Sequence, residues 1–151
     1  TDVIVGFPGE TVDQFEATLD LVRRLRPDIV NVTRFSPRPG TPAASFRDPI
    51  VGWQVKQRSR RITALRFSIA REIHQALVGD EVDVLVTESG KAGTLLARTP
   101  EYRQVVLHEP SPVGEFVRVR IDAARATDLF GHVVTDGLYT PDEMHARSPV
   151  V

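Results

Sequence analysis

An α/β segment followed by an all-β one is the architecture the sequence predicts, and two features along the chain carry that reading. Up to about Gly79, short β-branched runs give way to apolar residues spaced near the helical period of about 3.6; from Glu81 onward apolar and polar residues alternate. At 151 residues, 41% hydrophobic and 26% charged, the chain suffices for one ordinary core or two small ones.

Val3-Ile4-Val5 is the kind of continuous β-branched run that a sheet covered on both faces needs, and Gly6-Phe7-Pro8-Gly9-Glu10 turns the chain after it. Thr11 and Gln14 then form a capping-box pattern, in which a hydroxyl and an amide each satisfy a free backbone N–H. Val12, Phe15, Leu19 and Val22 recur at helical spacing until Pro27 stops the helix. Ile29-Val30-Asn31-Val32-Thr33-Arg34-Phe35 is a second strand, so the opening reads as one right-handed βαβ unit with a parallel sheet. Ser36-Pro37-Arg38-Pro39-Gly40-Thr41-Pro42-Ala43-Ala44 follows as a stiff loop at a strand end, where α/β proteins bind ligands. Asp48 as N-cap and Pro49 at the first helical position are expected to open a long helix running to about Gly79. Val51, Val55, Ile62, Leu65, Ile69 and Ile73 form its apolar stripe.

Beyond it Val82, Val84 and Val86 alternate with Asp83 and Leu85 before a glycine turn, and residues 94–99, 104–108, 115–123 and 129–134 supply four more short strands. Five strands at this spacing predict a small closed or partly open β-barrel. The expected divisions are an α/β part at 1–48, a linker helix at 49–79, the barrel at 80–134 and a tail at 135–151.

Several classes are excluded by composition. Without cysteine the chain holds no disulfide, thiolate zinc site or Cys-ligated iron–sulfur cluster. No apolar run approaches the roughly 20 residues that span a bilayer, so no membrane partner is expected and the cytoplasm is the default compartment. The sequence opens directly on a strand, without Met, and is expected to be a piece of something longer.

The formal charge of -1 carries no global nucleic-acid signal, so any basic patch must be local. Between 49 and 79 there are six basic residues (Lys56, Arg58, Arg60, Arg61, Arg66 and Arg71) and one acid, Glu72, which is either a solvated face or a polyanion contact. The barrel holds nine acids against six bases, a net of -3, so RNA would be gripped there only through a patch. Lys91, Arg98, Tyr102, Arg103, Arg118 and Arg120 are the candidates; Tyr102 and Phe116 are either available for base stacking or part of the barrel core, and the core is the favoured place for Phe116. The Gly6–Glu10 turn is either a ligand contact or a tight turn, and Arg38 either an anion fork or a solvated side chain. The four histidines show no metal-ligand spacing, and Glu10 has no partner carboxylate at a defined spacing. No catalytic residue and no metal ligand is therefore assigned.

Asp2-Val3-Ile4-Val5-Gly6-Phe7-Pro8-Gly9-Glu10-Thr11, the helix containing Phe15, and Phe35 to Ala44 together resemble the last strands of the radical S-adenosylmethionine partial TIM barrel in tRNA methylthiotransferases. Lys56-Gln57-Arg58-Ser59-Arg60-Arg61 is similar to that family's linker, and the β-rich part resembles its terminal TRAM domain, an OB-like RNA-binding barrel. Arg34-Phe35-Ser36-Pro37-Arg38-Pro39-Gly40 is closer to the archaeal and eukaryotic branch, which methylthiolates C2 of N6-threonylcarbamoyladenosine just 3′ of the tRNA anticodon. The resemblance implies S-adenosylmethionine and two 4Fe-4S clusters in the full-length parent, with Ile4, Gly6, Phe35 and Arg38 bordering the S-adenosylmethionine pocket. It implies an anticodon stem-loop partner, with Arg60, Arg61 and the barrel candidates on the RNA. The cluster cysteines would belong to missing N-terminal domains, leaving this chain inactive alone. The rival expectation is a non-catalytic RNA-binding or RNA-chaperone module.

Overall fold

The computed structural model describes the backbone of residues 1–139 and the side chains of residues 1–134. The chain divides into two compact units, and the division falls inside one long helix, between Ala70 and Arg71.

The first unit contains β1 (Asp2–Val5), α1 (Val12–Leu25), β2 (Asn31–Arg34) and the larger part of α2 (Gly52–Gln75). The capping box forms: the Thr11 hydroxyl accepts from the Gln14 N–H at 3.2 Å, and the Gln14 amide oxygen accepts from the Thr11 N–H at 3.0 Å. At the other end Arg26 adopts the left-handed conformation and donates its N–H to the Val22 carbonyl, one residue before Pro27. β1 and β2 pair in parallel, with Val3 opposite Val32 and Val5 opposite Arg34. Phe15, Leu19 and Val22 are buried together with Val5, Val30, Ile62 and Ile69, whereas Val12 is left exposed by its place in the first turn of α1.

α2 is shorter than the sequence suggests. Asp48 does not cap it, because its carbonyl accepts the Gly9 N–H at 2.9 Å and so ties residue 48 to the β1–α1 turn. The first helical bonds run instead to the Val51 carbonyl, from Gln54 and Val55. At its far end the helix stops at Gln75, and residues 76–79 form turns before Gly79, at φ +95°, hands its N–H to the Ile121 carbonyl.

The second unit is a closed five-stranded barrel of β3 (Glu81–Ser89), β4 (Leu95–Arg98), β5 (Gln104–Leu107), β6 (Phe116–Ala124) and β7 (Leu129–Tyr139). Around the barrel the order is β3-β4-β5-β7-β6, every pairing antiparallel except the parallel β5–β7. Alternation fixes the core: Val84, Val86, Ala97, Val105, Leu107, Val117, Val119, Ile121 and Leu129 point inward and are sealed from water. Phe116 is not among them, contrary to expectation, because Val117, Val119 and Ile121 take the inward positions of β6 and the period of two sends Phe116, Arg118 and Arg120 outward. β7 also continues to Tyr139, past the expected barrel end at Val134; the rest of the expected tail, 140–151, lies outside the described residues. Among the described residues no helix is long and apolar enough to cross a membrane.

Candidate strand-end cleft and nucleic-acid interface

In the first unit the chain leaves β1 through Gly6 at φ +79°, a conformation that side chains resist. There is also no room for one, since a Cβ there would lie 2.7 Å from the Val55 methyls. The turn is held by Glu10, whose Oε2 accepts the Gly6 N–H at 2.9 Å and the Arg58 guanidinium at 2.5 Å, while Arg58 also donates to the Glu10 carbonyl at 2.9 Å. Both side chains are nearly buried, so Glu10 is a strut and not a free acid or base.

Beside this turn lies a cleft of about 890 Å3, lined among others by Gly6, Phe35, Pro37, Ala43, Phe46 and Val55. Phe7 meets Phe35 and Phe46 edge-on, at centroid distances of 5.0 and 5.8 Å. Of the four residues expected at a cofactor pocket, Gly6 and Phe35 line this cleft. Ile4 does not: it is 58% exposed, on the strand face opposite buried Val5. Arg38 is exposed in the loop, where its carbonyl accepts from the Thr41 N–H and hydroxyl. Phe46 and Val55 were not foreseen, because only the folding of the loop after Ala44 and the return of α2 past the turn bring them there.

The basic run of α2 separates by partner. Arg58 is engaged as described, Arg66 donates to the Val30 carbonyl at 2.6 Å, and Arg61 grips both oxygens of Glu16. That hydrogen-bonded pair holds the Glu16 carboxyl below its usual range and raises the Arg61 guanidinium. Lys56 and Arg60 are exposed and form no ion pair among the described residues.

On the barrel, register places Arg98, Arg118 and Arg120 on one outer face, while Lys91, Tyr102 and Arg103 lie in the turns between strands. Leu85 of β3 stands between Arg98 of β4 and Phe116 of β6, and Asp83 and Glu81 stand opposite Arg118 and Arg120. Arg118 spends its fork on Asp83 through two bonds of 2.9 Å, Arg120 sits 3.7 Å from Glu81, and Arg103 reaches Glu101 at 3.4 Å. Arg98 and exposed Lys91 meet no carboxylate among the described residues; Arg98 donates only to the Tyr102 carbonyl, at 3.4 Å. Elsewhere His74 is buried with Nδ1 at 2.7 Å from the Arg125 carbonyl, and His132 pairs with Asp122 at 2.8 Å.

Residues 75–134 match the TRAM domain family. The chain is 44% identical over 135 residues to a probable threonylcarbamoyladenosine tRNA methylthiotransferase of Pyrococcus horikoshii, and 48% identical over 136 residues to a protein of the same name from Archaeoglobus fulgidus. It is 42% identical over 139 residues to a tRNA-2-methylthio-N(6)-dimethylallyladenosine synthase of Tropheryma whipplei. These alignments take in 89%, 90% and 87% of the chain, which spans only 31%, 31% and 29% of the relatives' own lengths. The chain thus carries a TRAM domain in its second unit and, through both units, is a homologue of about a third of the length of the tRNA methylthiotransferases it matches.

Proposed function

We propose that the chain is the part of a tRNA methylthiotransferase that completes its radical S-adenosylmethionine barrel and supplies its RNA-binding domain, the parent methylthiolating C2 of N6-threonylcarbamoyladenosine beside the anticodon in the cytoplasm. The observation that carries this is the 44–48% identity to the archaeal relatives, running through the α/β unit as well as the barrel. A plain RNA-binding module has no need of the first unit.

The strand-end cleft fits the adenosine half of S-adenosylmethionine: its volume lies within the roughly 300–1,000 Å3 usual for ligand pockets, and Phe35 and Phe46 give it aromatic walls. Gly6 and Phe35 would hold it, and when bound it would supply the radical that abstracts the substrate's hydrogen. The 4Fe-4S clusters find no fit here, since the chain has no cysteine, and no step is derived through them.

The RNA grip is assigned to cations that meet no carboxylate among the described residues, Arg60 on α2 and Lys91 and Arg98 on the barrel. Substitution to alanine at Arg60 or Arg98 is expected to weaken binding of an anticodon stem-loop and lower the salt slope by about 0.7–0.9 each. Arg61→Ala is expected to do less, because Glu16 already occupies its fork. The enzymatic reading is tested by exchanging the matching segment of the Archaeoglobus fulgidus relative for this chain and analysing tRNA nucleosides by mass spectrometry. The 2-methylthio derivative of threonylcarbamoyladenosine supports it; a folded, cluster-loaded chimaera that leaves this nucleoside unmodified refutes the substrate assignment.

A further inference from the structure

Outside the strand-end cleft, a second cavity of about 220 Å3 opens on the outer face of the barrel. Leu85 and Phe116 form its floor by cross-strand pairing, Pro100 and Tyr102 border it from the β4–β5 turn, and Arg98 and Asp83 provide its polar groups. It is smaller than a typical pocket for a drug-sized molecule, which leaves room for a single flat ring system.

Tyr102 is the unusual member. Its N–H closes the turn onto the Thr99 carbonyl at 2.9 Å, and the turn holds it at φ +69°, where glycine or asparagine is normal and a bulky residue is an outlier. Yet the residue is 72% exposed, so the fold gains little packing from it. A strained backbone that serves only to present an aromatic ring beside an apolar floor is better explained by what the ring meets than by stability. The barrel's net charge of -3 points the same way, because it disfavours a grip through phosphates alone.

We propose that this cavity receives one unpaired nucleobase of an RNA loop, stacked on Tyr102 above Leu85 and Phe116, with the adjoining phosphate on Arg98. Nucleobase stacking tolerates any base, and the Arg98 guanidinium has no competing carboxylate among the described residues. The inference rests on the reading of the chain as an RNA-binding part of a tRNA enzyme, and it names the element of the RNA that the barrel takes.

The test uses the whole chain and stem-loop RNAs carrying 2-aminopurine at each loop position in turn, whose fluorescence is quenched on stacking. Quenching is expected at one position and is retained in Tyr102→Phe. Tyr102→Gly relieves the backbone, so its melting temperature is expected to hold or rise. Its affinity is nevertheless expected to fall roughly 5- to 150-fold, by nearly the same factor at low and high salt, with the quenching lost. Arg98→Ala is expected to weaken binding mainly at low salt. If Tyr102→Gly binds the stem-loop as well as the native chain does, or no position is quenched, the cavity assignment fails while the RNA reading stands. If the native chain does not bind the stem-loop even at low salt, the RNA reading fails and this inference with it.

Discussion

At the scale of single residues, local chemistry separates groups that hold the structure from groups free to act. Glu10 sits in the glycine turn that follows β1, near a strand-end cleft, which invites a catalytic role. Its oxygen is instead committed to the Gly6 amide and to Arg58, forty-eight residues away. His132 is also paired, but at the surface, and its chemistry can be followed in solution. The Asp122 hydrogen bond and charge raise its pKa above the ordinary 6.5. A raised folded-state value means that the pair stabilises the barrel fully below about pH 6.5 and loses that contribution as pH rises through the folded-state value. The native chain is therefore expected to lose urea resistance between about pH 6 and pH 8 relative to Asp122→Asn, whose His132 should titrate nearer 6.5 by NMR. Equal pH dependence in the two proteins would remove the pair from any role in stability.

Among the elements, β6 and β7 are the pair on which barrel closure depends. Their register shifts twice, between Val117 and Val119 and between Ile121 and Ala123, and Gly131 lies opposite Ile121 beside the second shift. A Cβ on Gly131 would collide with the Arg120 carbonyl, which cannot move without opening the ladder, and would come within 2.6 Å of a methyl of buried Val119. Gly131→Ala is expected to cost about 1–3 kcal/mol of barrel stability by urea denaturation. Gly52→Ala, at the open start of α2, should be neutral or slightly stabilising, so equal effects of the two would contradict the packing argument. What the sequence made legible were features whose cause is local: the Thr11–Gln14 box, the Pro27 stop and the alternation that seals Val84, Val86, Val117 and Val119. Where α2 starts was not legible, because Asp48 and Pro49 look like an N-cap and first helical residue until the distant Gly9 amide claims the Asp48 carbonyl. The division of labour among the arginines was hidden for the same reason. Nothing adjacent to Arg58 or Arg61 announces Glu10 or Glu16, and only the strand register shows Arg98 opposite Leu85 and Gln104, with no carboxylate beside it among the described residues.

Across the whole molecule, the two units differ in how they treat their sheet edges. In the barrel every strand has two neighbours, so no row of backbone donors and acceptors is left open. β1 and β2 are four residues each and, among the described residues, pair only with one another; such a two-stranded sheet is marginal in water even with a helix packed on it. In the parent enzyme proposed here, of which relatives suggest the chain is about 31%, further parallel strands would flank this pair. The isolated chain should therefore exchange the amides of β1 and β2 much faster than those of β3 to β7. At high protein concentration the gap should narrow as the open edges pair between copies. Hydrogen exchange read by mass spectrometry at two concentrations checks both parts. Protection in β1 and β2 equal to that of the barrel, already present in the dilute sample, would mean that α1 and α2 stabilise the sheet unaided and that its edges need no partner.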